Sequence, residues 1–279
     1  MIDIQKVDYS VTFACLNQST YTGRCLESLR ESGIDLSRVI AVDNASSDDT
    51  LRVITHFPDV KVIKNKVNLG CGTAWNQGVL ELQSEWSVVM NNDILVSPNW
   101  LNNLIESAVA NKLKVACPAM IEGDSDYDVP ETLLKFSHVG RNLIRLGDKH
   151  AVCMLIHKSV WQSVGYFRSV PKLFGFEDTL FFNELEKNNI PTAIVGTSWI
   201  HHYGSVTQSE MKRERGLKDK EGLGHRKNYL LLNQSWLERK MNKAKRTRFR
   251  SNSCKAEIRT SGISLHALKR PGQDFTWIP

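Results

Sequence analysis

Long apolar runs are missing from this chain. No stretch approaches the roughly 18 consecutive apolar residues that a membrane-spanning helix needs, so no transmembrane segment is expected. The opening residues, MIDIQKVDYS, lack a basic start followed by an apolar core, and no secretory leader is expected there. The six cysteines (Cys15, Cys25, Cys71, Cys117, Cys153 and Cys254) include no CxxC pair. That argues against a disulfide frame or a zinc site and for reduced thiols, hence a cytoplasmic protein. Internal repeats and low-complexity segments are absent too. So is G-x-x-x-x-G-K-[ST], which excludes a P-loop, and GxGxxG, which argues against a dinucleotide site.

What is present is a chain of 279 residues, 41% hydrophobic and 24% charged, enough for one large globular domain with a small extension. The net charge of +6 is unevenly spread: residues 211–279 hold 18 Lys/Arg against 6 Asp/Glu, while the residues before them are acidic. This divides the chain into a body, 1–210, and a basic C-terminal extension, 211–279, with an anionic partner expected for the latter.

Hydrophobic patterning predicts alternating strands and helices over the body. DYSVTFACLN (8–17), SRVIAVDN, DVKVIKNK, EWSVVMNND and LKVACPAM read as strands. YTGRCLESLRESG (21–33) reads as a helix ending at Gly33. A second helix is expected to run to about Phe57 with Ser46 or Ser47 as its cap, and a third opens at LGCG. SPNWLNNLIESAVA (97–110) reads as a helix capped by Ser97 with Pro98 at its first position. The segment 121–150 is polar and reads as a loop over the site. AVCMLIHKSVWQSVGYF then gives a strand and a short helix, and a strand near 192–196 leads to a loop with paired histidines. The expected fold is α/β, a mostly parallel central sheet with helices on both faces, plus a mainly helical basic extension.

Ligands bind such sheets at the carboxyl ends of the strands, which is where Asn17, Asp43 and Asn91-Asn92-Asp93 fall. Asp93 is a candidate oxygen ligand for a divalent metal, and Asn91 and Asn92 offer amides to ribose or phosphate. Asp43 can accept the imide N–H of a pyrimidine. NLGCGTAWNQG brings backbone N–H groups to a helix start, where phosphate is favoured. Glu177-Asp178, at a helix N-terminus, can hold an ionised carboxylate for proton abstraction, and His201-His202 are candidate metal or diphosphate ligands. Taken singly, each has a plainer reading: Asn/Asp turns, a glycine used for close packing, an acidic pair satisfying a helix dipole, half-buried imidazoles.

Their order along one chain is what raises them together. VTFACLNQSTYTGRCLESL, VIAVDNASSDDT, NKVNLGCGTAWNQGV, VVMNNDILVSPNWL, AVCMLIHKSVWQSVGYF, FGFEDTLFFNEL and IHHYGS resemble, over about residues 8–207, the nucleotide-sugar glycosyltransferases of family 2, whose fold is GT-A. The resemblance implies an inverting, metal-dependent transferase using Mn2+ or Mg2+ and a nucleoside-diphosphate sugar, with UDP as the expected nucleotide. It implies Asp178 as general base with Glu177 beside it. Asn17, Asp43, Asn68, Gly70, Asn76, Asn91 and Asn92 would line the nucleotide-sugar pocket, and Asp93 would hold the metal with His202, or second His201. Asn91 stands where the family's Asp-x-Asp motif has its first acid, so the metal would rest mainly on Asp93.

HRKNYLLLNQSWLERKM (225–241) reads as an amphipathic helix leading into the basic run that holds Lys243, Lys245, Arg246, Arg248 and Arg250. That run is a solvated face, a contact for an anionic membrane, or a phosphate contact for DNA. The family makes a glycan or lipid-linked saccharide the expected acceptor, with peripheral membrane contact. Glycosylation of a modified base in DNA is the alternative, and a non-catalytic nucleotide-sugar-binding module a further one. TSGISLHALKRPGQDFTWIP is expected to dock back as a hairpin or lid.

Overall fold

The structure, a computed structural model, describes residues 6–169, 176–204, 206 and 231–279. In chain order its elements begin with β1 (Tyr9–Cys15), α1 (Ser19–Glu31), β2 (Val39–Asp43), α2 (Thr50–Ile54), β3 (Lys61–Lys64), α3 (Cys71–Leu82), β4 (Trp86–Asn91), β5 (Ile94–Val96) and α4 (Trp100–Ala110). They continue with β6 (Val115–Gly123), α5 (Val129–Val139), β7 (Ile144–Leu146), β8 (Cys153–His157), α6 (Lys158–Val164), α7 (Glu177–Lys187) and β9 (Thr192–His202). The last three are α8 (Trp236–Ser261), β10 (His266–Lys269) and β11 (Thr276–Trp277).

The sequence YSVTFAC is apolar or β-branched nearly throughout, as a strand covered on both faces must be. β1 is accordingly buried along its whole length, with β2 and β4 as parallel neighbours and β3 parallel beyond β2. Alternation sends Val11, Phe13 and Cys15 toward a layer built with α1, α2 and α4. Ala14, Ile40, Val42 and Val89 join a second layer with α3, α5, α6 and α7. Helix α3 lies close to the sheet because Gly78 carries no side chain: a Cβ there would meet Thr12 Cγ2 at 2.2 Å.

Beyond β4 the sheet departs from the parallel expectation. β8 enters antiparallel between β4 and β6, and β9 runs parallel to β6 with β5 and β7 antiparallel on it. The β6–β9 register jumps from Pro118↔Val195 to Ala119↔Trp199, so residues 196–198 of β9 form a bulge. The bulge is pinned. Gly196 N donates to Leu143 O at 2.9 Å, Asn103 Nδ2 donates to Thr197 O at 3.0 Å, and Ser198 Oγ donates to Trp100 O at 2.9 Å. Gly196 packs so close that a Cβ would lie 2.3 Å from Gly140 O.

Several local expectations are corrected. Neither Ser46 nor Ser47 caps α2: Asp48 Oδ1 accepts from Thr50 N at 3.0 Å, and Ser46 Oγ instead accepts from Asn17 N. Helix α4 starts at Trp100, with Asn99 in the left-handed region as its cap, so Ser97 and Pro98 precede it. Segment 121–150 is not an irregular loop. Asp128 caps α5 through Glu131 N, Pro130 sits in its first turn, and the helix lays Leu133 and Phe136 into the second apolar layer. The paired histidines lie on β9 and not in a loop after it.

In the C-terminal region, residues 225–230 and the boundary at 210/211 lie outside the described residues. Leu232 packs with Phe176 and Leu180, and a capping box between Ser235 and Glu238 starts α8 only at Trp236. The helix therefore contains the basic run itself. Its first half is exposed, and its second half docks through buried Cys254 and Glu257. The hairpin β10–β11 then joins the central sheet, β10 parallel to the outer end of β6.

That docking is centred on Arg145 of β7, whose side chain is 2% exposed. Its Nε and Nη2 donate to Glu257 Oε1 and Oε2 at 2.9 and 2.6 Å, and Nη2 donates also to Ser264 Oγ at 3.1 Å. Asp148 Oδ2 lies 3.4 Å from Arg145 Nη1, and Arg250 of α8 closes on Asp148 Oδ1 at 2.6 Å. Burial works against ionisation of Glu257 and Asp148. The hydrogen bonds and charge of Arg145 and Ser264 for the first, and of Arg250 for the second, outweigh it and hold both carboxyls below their ordinary range.

Glu257→Gln leaves the buried guanidinium short of a carboxylate and is expected to cost about 3 kcal/mol in urea unfolding at pH 7. Because both carboxyls titrate lower in the folded chain, their contribution is complete above their unfolded-state values and is lost as pH falls through the folded ones. The wild-type melting temperature should therefore drop on acidification below about pH 4.5, and E257Q should show a shallower drop. An unchanged acid profile in E257Q would contradict this account.

Candidate functional site

The carboxyl ends of β1, β2 and β4 are tied into one surface by short polar side chains. Asn17, left-handed at φ 56°, accepts at Oδ1 from Ser47 N (2.8 Å) while its own N–H donates to Ser46 Oγ (2.8 Å). Asp43 is buried, and its Oδ1 accepts from Ser46 N at 3.1 Å, closing the turn after β2. Asn44, which the sequence reading passed over, is the knot between loops. Its Oδ1 accepts from Asn65 Nδ2 (2.9 Å) and Leu69 N (3.4 Å), and its Nδ2 donates to Gly70 O (3.2 Å).

The glycine-rich turn has a steric logic. Asn68 Oδ1 accepts from Gly70 N at 2.9 Å, and Gly70 takes φ 85°, open to glycine at no cost. At Gly72 an added Cβ would lie 3.0 Å from Glu177 Cγ and from Phe167 Cβ. The glycines thus let the start of α3 approach α7. Asn76, one turn on, uses both ends of its amide on the Phe167 backbone, at 2.8 and 3.1 Å, and so fastens α3 to the segment after α6.

In the Asn91-Asn92-Asp93 turn, Asn91 closes β4, its N–H donating to Val152 O at 2.9 Å. Buried Asn92 donates from Nδ2 to Thr22 Oγ1 of α1 at 2.9 Å. Asp93 is 3% exposed; its backbone O accepts from Tyr203 N at 3.1 Å, and its Oδ1 has no hydrogen-bond partner among the described residues. Facing that oxygen at 3.4 Å is His202 Nε2. Both ring nitrogens of buried His202 likewise lack a hydrogen-bond partner among the described residues.

Alternation on β9 separates the two histidines. His202 pairs across the sheet with Ile94 and Glu122, and its Nδ1 lies 4.0 Å from Glu122 Oε1. His201 points to the other face, where Nδ1 shares a 2.8 Å hydrogen bond with Tyr127 Oη, and burial holds it down at about 4. It is a neutral structural imidazole, not placed with Asp93. Glu122, in turn, is 3.3 Å from His266 Nε2 of β10, a contact that pulls its carboxyl below the ordinary range. Glu122 and His266 were missed in the sequence because only sheet pairing brings them together across 144 residues.

Glu177 and Asp178 are neighbours in sequence but face different surroundings. Glu177 is buried against the glycine-rich turn with Oε2 unpartnered among the described residues, and burial pushes its carboxyl above its ordinary range. Half-buried Asp178 accepts at Oδ1 from Thr179 N at 2.7 Å and lines a cavity shared with α8. Cys71 lies at the first turn of α3. Close packing, then the negative fields of Glu177, Asp178 and Asp93, hold its thiol well above its ordinary range.

Could this arrangement hold a divalent cation? Asp93 Oδ1 and His202 Nε2, buried, unpartnered and 3.4 Å apart, fit an ion that takes oxygen and imidazole donors. No group of three or more candidate protein ligands occurs among the described residues. The remaining positions would fall to phosphate oxygens and water, the usual division for Mg2+. Lys243, Lys245, Arg246, Arg248 and Arg250 all lie on α8; of these Arg250 is spent on Asp148, and Arg246 lines the cavity with Asp178.

The chain is similar to known proteins in sequence and in fold. Residues 10–170, more than half of the chain, match the family described as Glycosyl transferase family 2. Succinoglycan biosynthesis protein ExoO of Rhizobium meliloti (strain 1021) is 32% identical over 117 residues, 40% of this chain and 33% of that protein. GalNAc-T7, solved with UDP, GalNAc and Mn2+, superposes with a TM-score of 0.57 at 13% identity over 72% of this chain and 44% of its own. The mannosyltransferase PcManGT of Pyrobaculum calidifontis, solved with GDP-Man and Mn2+, gives 0.56 at 14% identity over 76% and 62%. These alignments span less than two thirds of the relatives' lengths, and the structural likenesses carry the fold, GT-A. With a sequence match across both the strand-end loops and β8, the chain belongs to glycosyl transferase family 2.

Proposed function

We propose that this chain is an inverting glycosyltransferase that moves a sugar from a nucleoside-diphosphate sugar, a UDP-sugar, to the hydroxyl of a glycan or lipid-linked saccharide. The observation that carries the reading is the buried pair of Asp93 Oδ1 and His202 Nε2 just past the carboxyl end of β4, 3.4 Å apart and each without a hydrogen-bond partner among the described residues. The nucleotide lies across the ends of β1 and β2, against Asn17, Asp43 and the glycine-rich turn at Asn68 and Gly70. The backbone N–H groups of that turn suit a diphosphate. Asp93 Oδ1 and His202 Nε2 would hold Mn2+ or Mg2+, whose chemistry is to neutralise charge on the departing diphosphate.

Asp178 takes the proton of the acceptor hydroxyl as its oxygen bonds to the anomeric carbon. The bond from that carbon to the diphosphate oxygen breaks on the opposite face, and the nucleoside diphosphate leaves with the electron pair. Glu177, buried against the glycine-rich turn, packs the start of α7 onto α3 beside the base. Asn92 and Asn76 act on placement, the first holding the Asp93 turn to α1 and the second holding α3 to Phe167.

Residues 211–279 serve the acceptor side. Exposed Trp236, Leu237 and Met241 accompany the lysines and arginines of α8, a combination suited to an anionic lipid surface and a lipid-linked acceptor. The same cations support the second reading, DNA carrying a modified base. No helix among the described residues is long and apolar enough to cross a membrane.

Asp178→Asn is expected to lower turnover by roughly 10²–10⁴-fold with UDP affinity unchanged by calorimetry; near-wild-type turnover would remove Asp178 as the base. Asp93→Ala is expected to weaken Mn2+-dependent UDP binding by roughly 10–100-fold, the scale for losing support of a metal site. Equal UDP binding by wild type and D93A, with and without EDTA, would dismiss the metal role.

A further inference from the structure

A cavity of about 300 Å3 opens beside Asp178, walled by α7, by the segment from Gly147 to Ala151 and by α8. Its volume is on the scale of small-ligand clefts, which run from roughly 300 Å3 upward. The charges that line it can be sorted by partner. Arg250 is taken by Asp148 at 2.6 Å, and Asp148 is shared with Arg145. Lys149, 7% exposed, is taken by Glu186 at 3.0 Å. His150 is half-buried, gives Nε2 to Pro118 O at 2.8 Å, and is pushed down to about 4, so it is uncharged near neutrality. Two charges remain without an ion pair among the described residues: Asp178 and Arg246.

Arg246 lies one helical turn before Arg250, so the two share a face of α8. The anchoring of Arg250 on Asp148 therefore aims that face, and Arg246 with it, at the cavity. Phe249 adds an apolar ring, 42% exposed, to the same wall. Arg246 is exposed on that wall, and an unpaired guanidinium there is a ready bidentate donor for carboxylate or phosphate.

We infer that the acceptor is a saccharide bearing an anionic group, carboxylate or phosphate, which Arg246 binds while the reacting hydroxyl sits at Asp178. This rests on the reading of Asp178 as the base. The anionic group comes from a uronic acid in the glycan or from the phosphate of a lipid carrier. A cavity of this size admits a sugar with its substituent.

Calorimetry on the full chain with UDP present separates the cases without requiring turnover. The probes are cellobiose, cellobiouronic acid, citronellyl phosphate linked to glucose, and a 20-base-pair DNA duplex. At least one of the two anionic saccharides should bind about ten-fold or more tighter than cellobiose, the scale of a hydrogen bond to a charged group. The better of the two identifies the source of the charge. Arg246→Glu should abolish that preference, Asp178→Asn should keep it, and both should leave UDP affinity unchanged. Equal or undetectable binding of all three saccharides, or a preference that survives R246E, overturns the inference. Arg246-dependent binding of the duplex alone does so too. Should Asp178→Asn retain turnover while the charge preference stands, the base assignment fails and the anion site does not.

Discussion

A guanidinium taken out of water must be paired almost completely, and Arg145 is such a group, 2% exposed near the midpoint of the chain. It sits on a three-residue strand with little apolar surface to anchor it, yet it receives both oxygens of Glu257, the hydroxyl of Ser264 and the carboxylate of Asp148. Those partners come from three different segments. The planar fork of Arg145 satisfies all of them only in one relative placement of α8, β7 and the turn after it. Hydrophobic contact alone would not fix that placement, because α8 buries only Cys254 and Glu257. Specificity of docking here is therefore electrostatic, and the wall that α8 lends to the cavity at Asp178 is a by-product of it.

The two ends of the site show opposite treatments of charge. At the ends of the strands, Asp93 Oδ1 and Glu177 Oε2 are buried without hydrogen-bond partners among the described residues. Around Asp148 the charges are matched one for one until Arg246 is left over. A fold that leaves buried carboxylate oxygens unpartnered at one place and balances charges at another gives up stability locally, as functional sites do. The neighbours Glu177 and Asp178 link the halves: one faces the glycine-rich turn and the other the α8 cavity.

The body of the fold was legible because its strands are short, apolar and separated by helix-length segments, and because polar residues mark the strand ends. Orientation was not legible. Nothing in CMLIH states that it will run antiparallel between β4 and β6, since a buried strand reads alike in both directions. Helix α5 was hidden by its polar surroundings, although Asp128, Pro130 and the spacing of Leu133 and Phe136 were signals that could have found it. At the site, residue types were readable but directions were not. Asn76 and Asn92 spend their amides on the protein itself, Asn44 knots the loops where Asp43 drew attention, and Glu122 meets His266 only through β10.

The bulge at residues 196–198 makes the length of β9 a matter of parity. Three residues, an odd number, are set aside between Val195 and Trp199, and each is fastened to a different neighbour. Side chains on a strand change faces at every step. A deletion or insertion of a single residue beyond the bulge would exchange the two imidazoles, turning the one that now meets Tyr127 toward Asp93 and the other away. Changes of two residues would preserve the faces. Length variation in this strand among descendants of the chain should therefore be filtered in even steps, an inheritance rule written by the pleat of a sheet rather than by any one side chain.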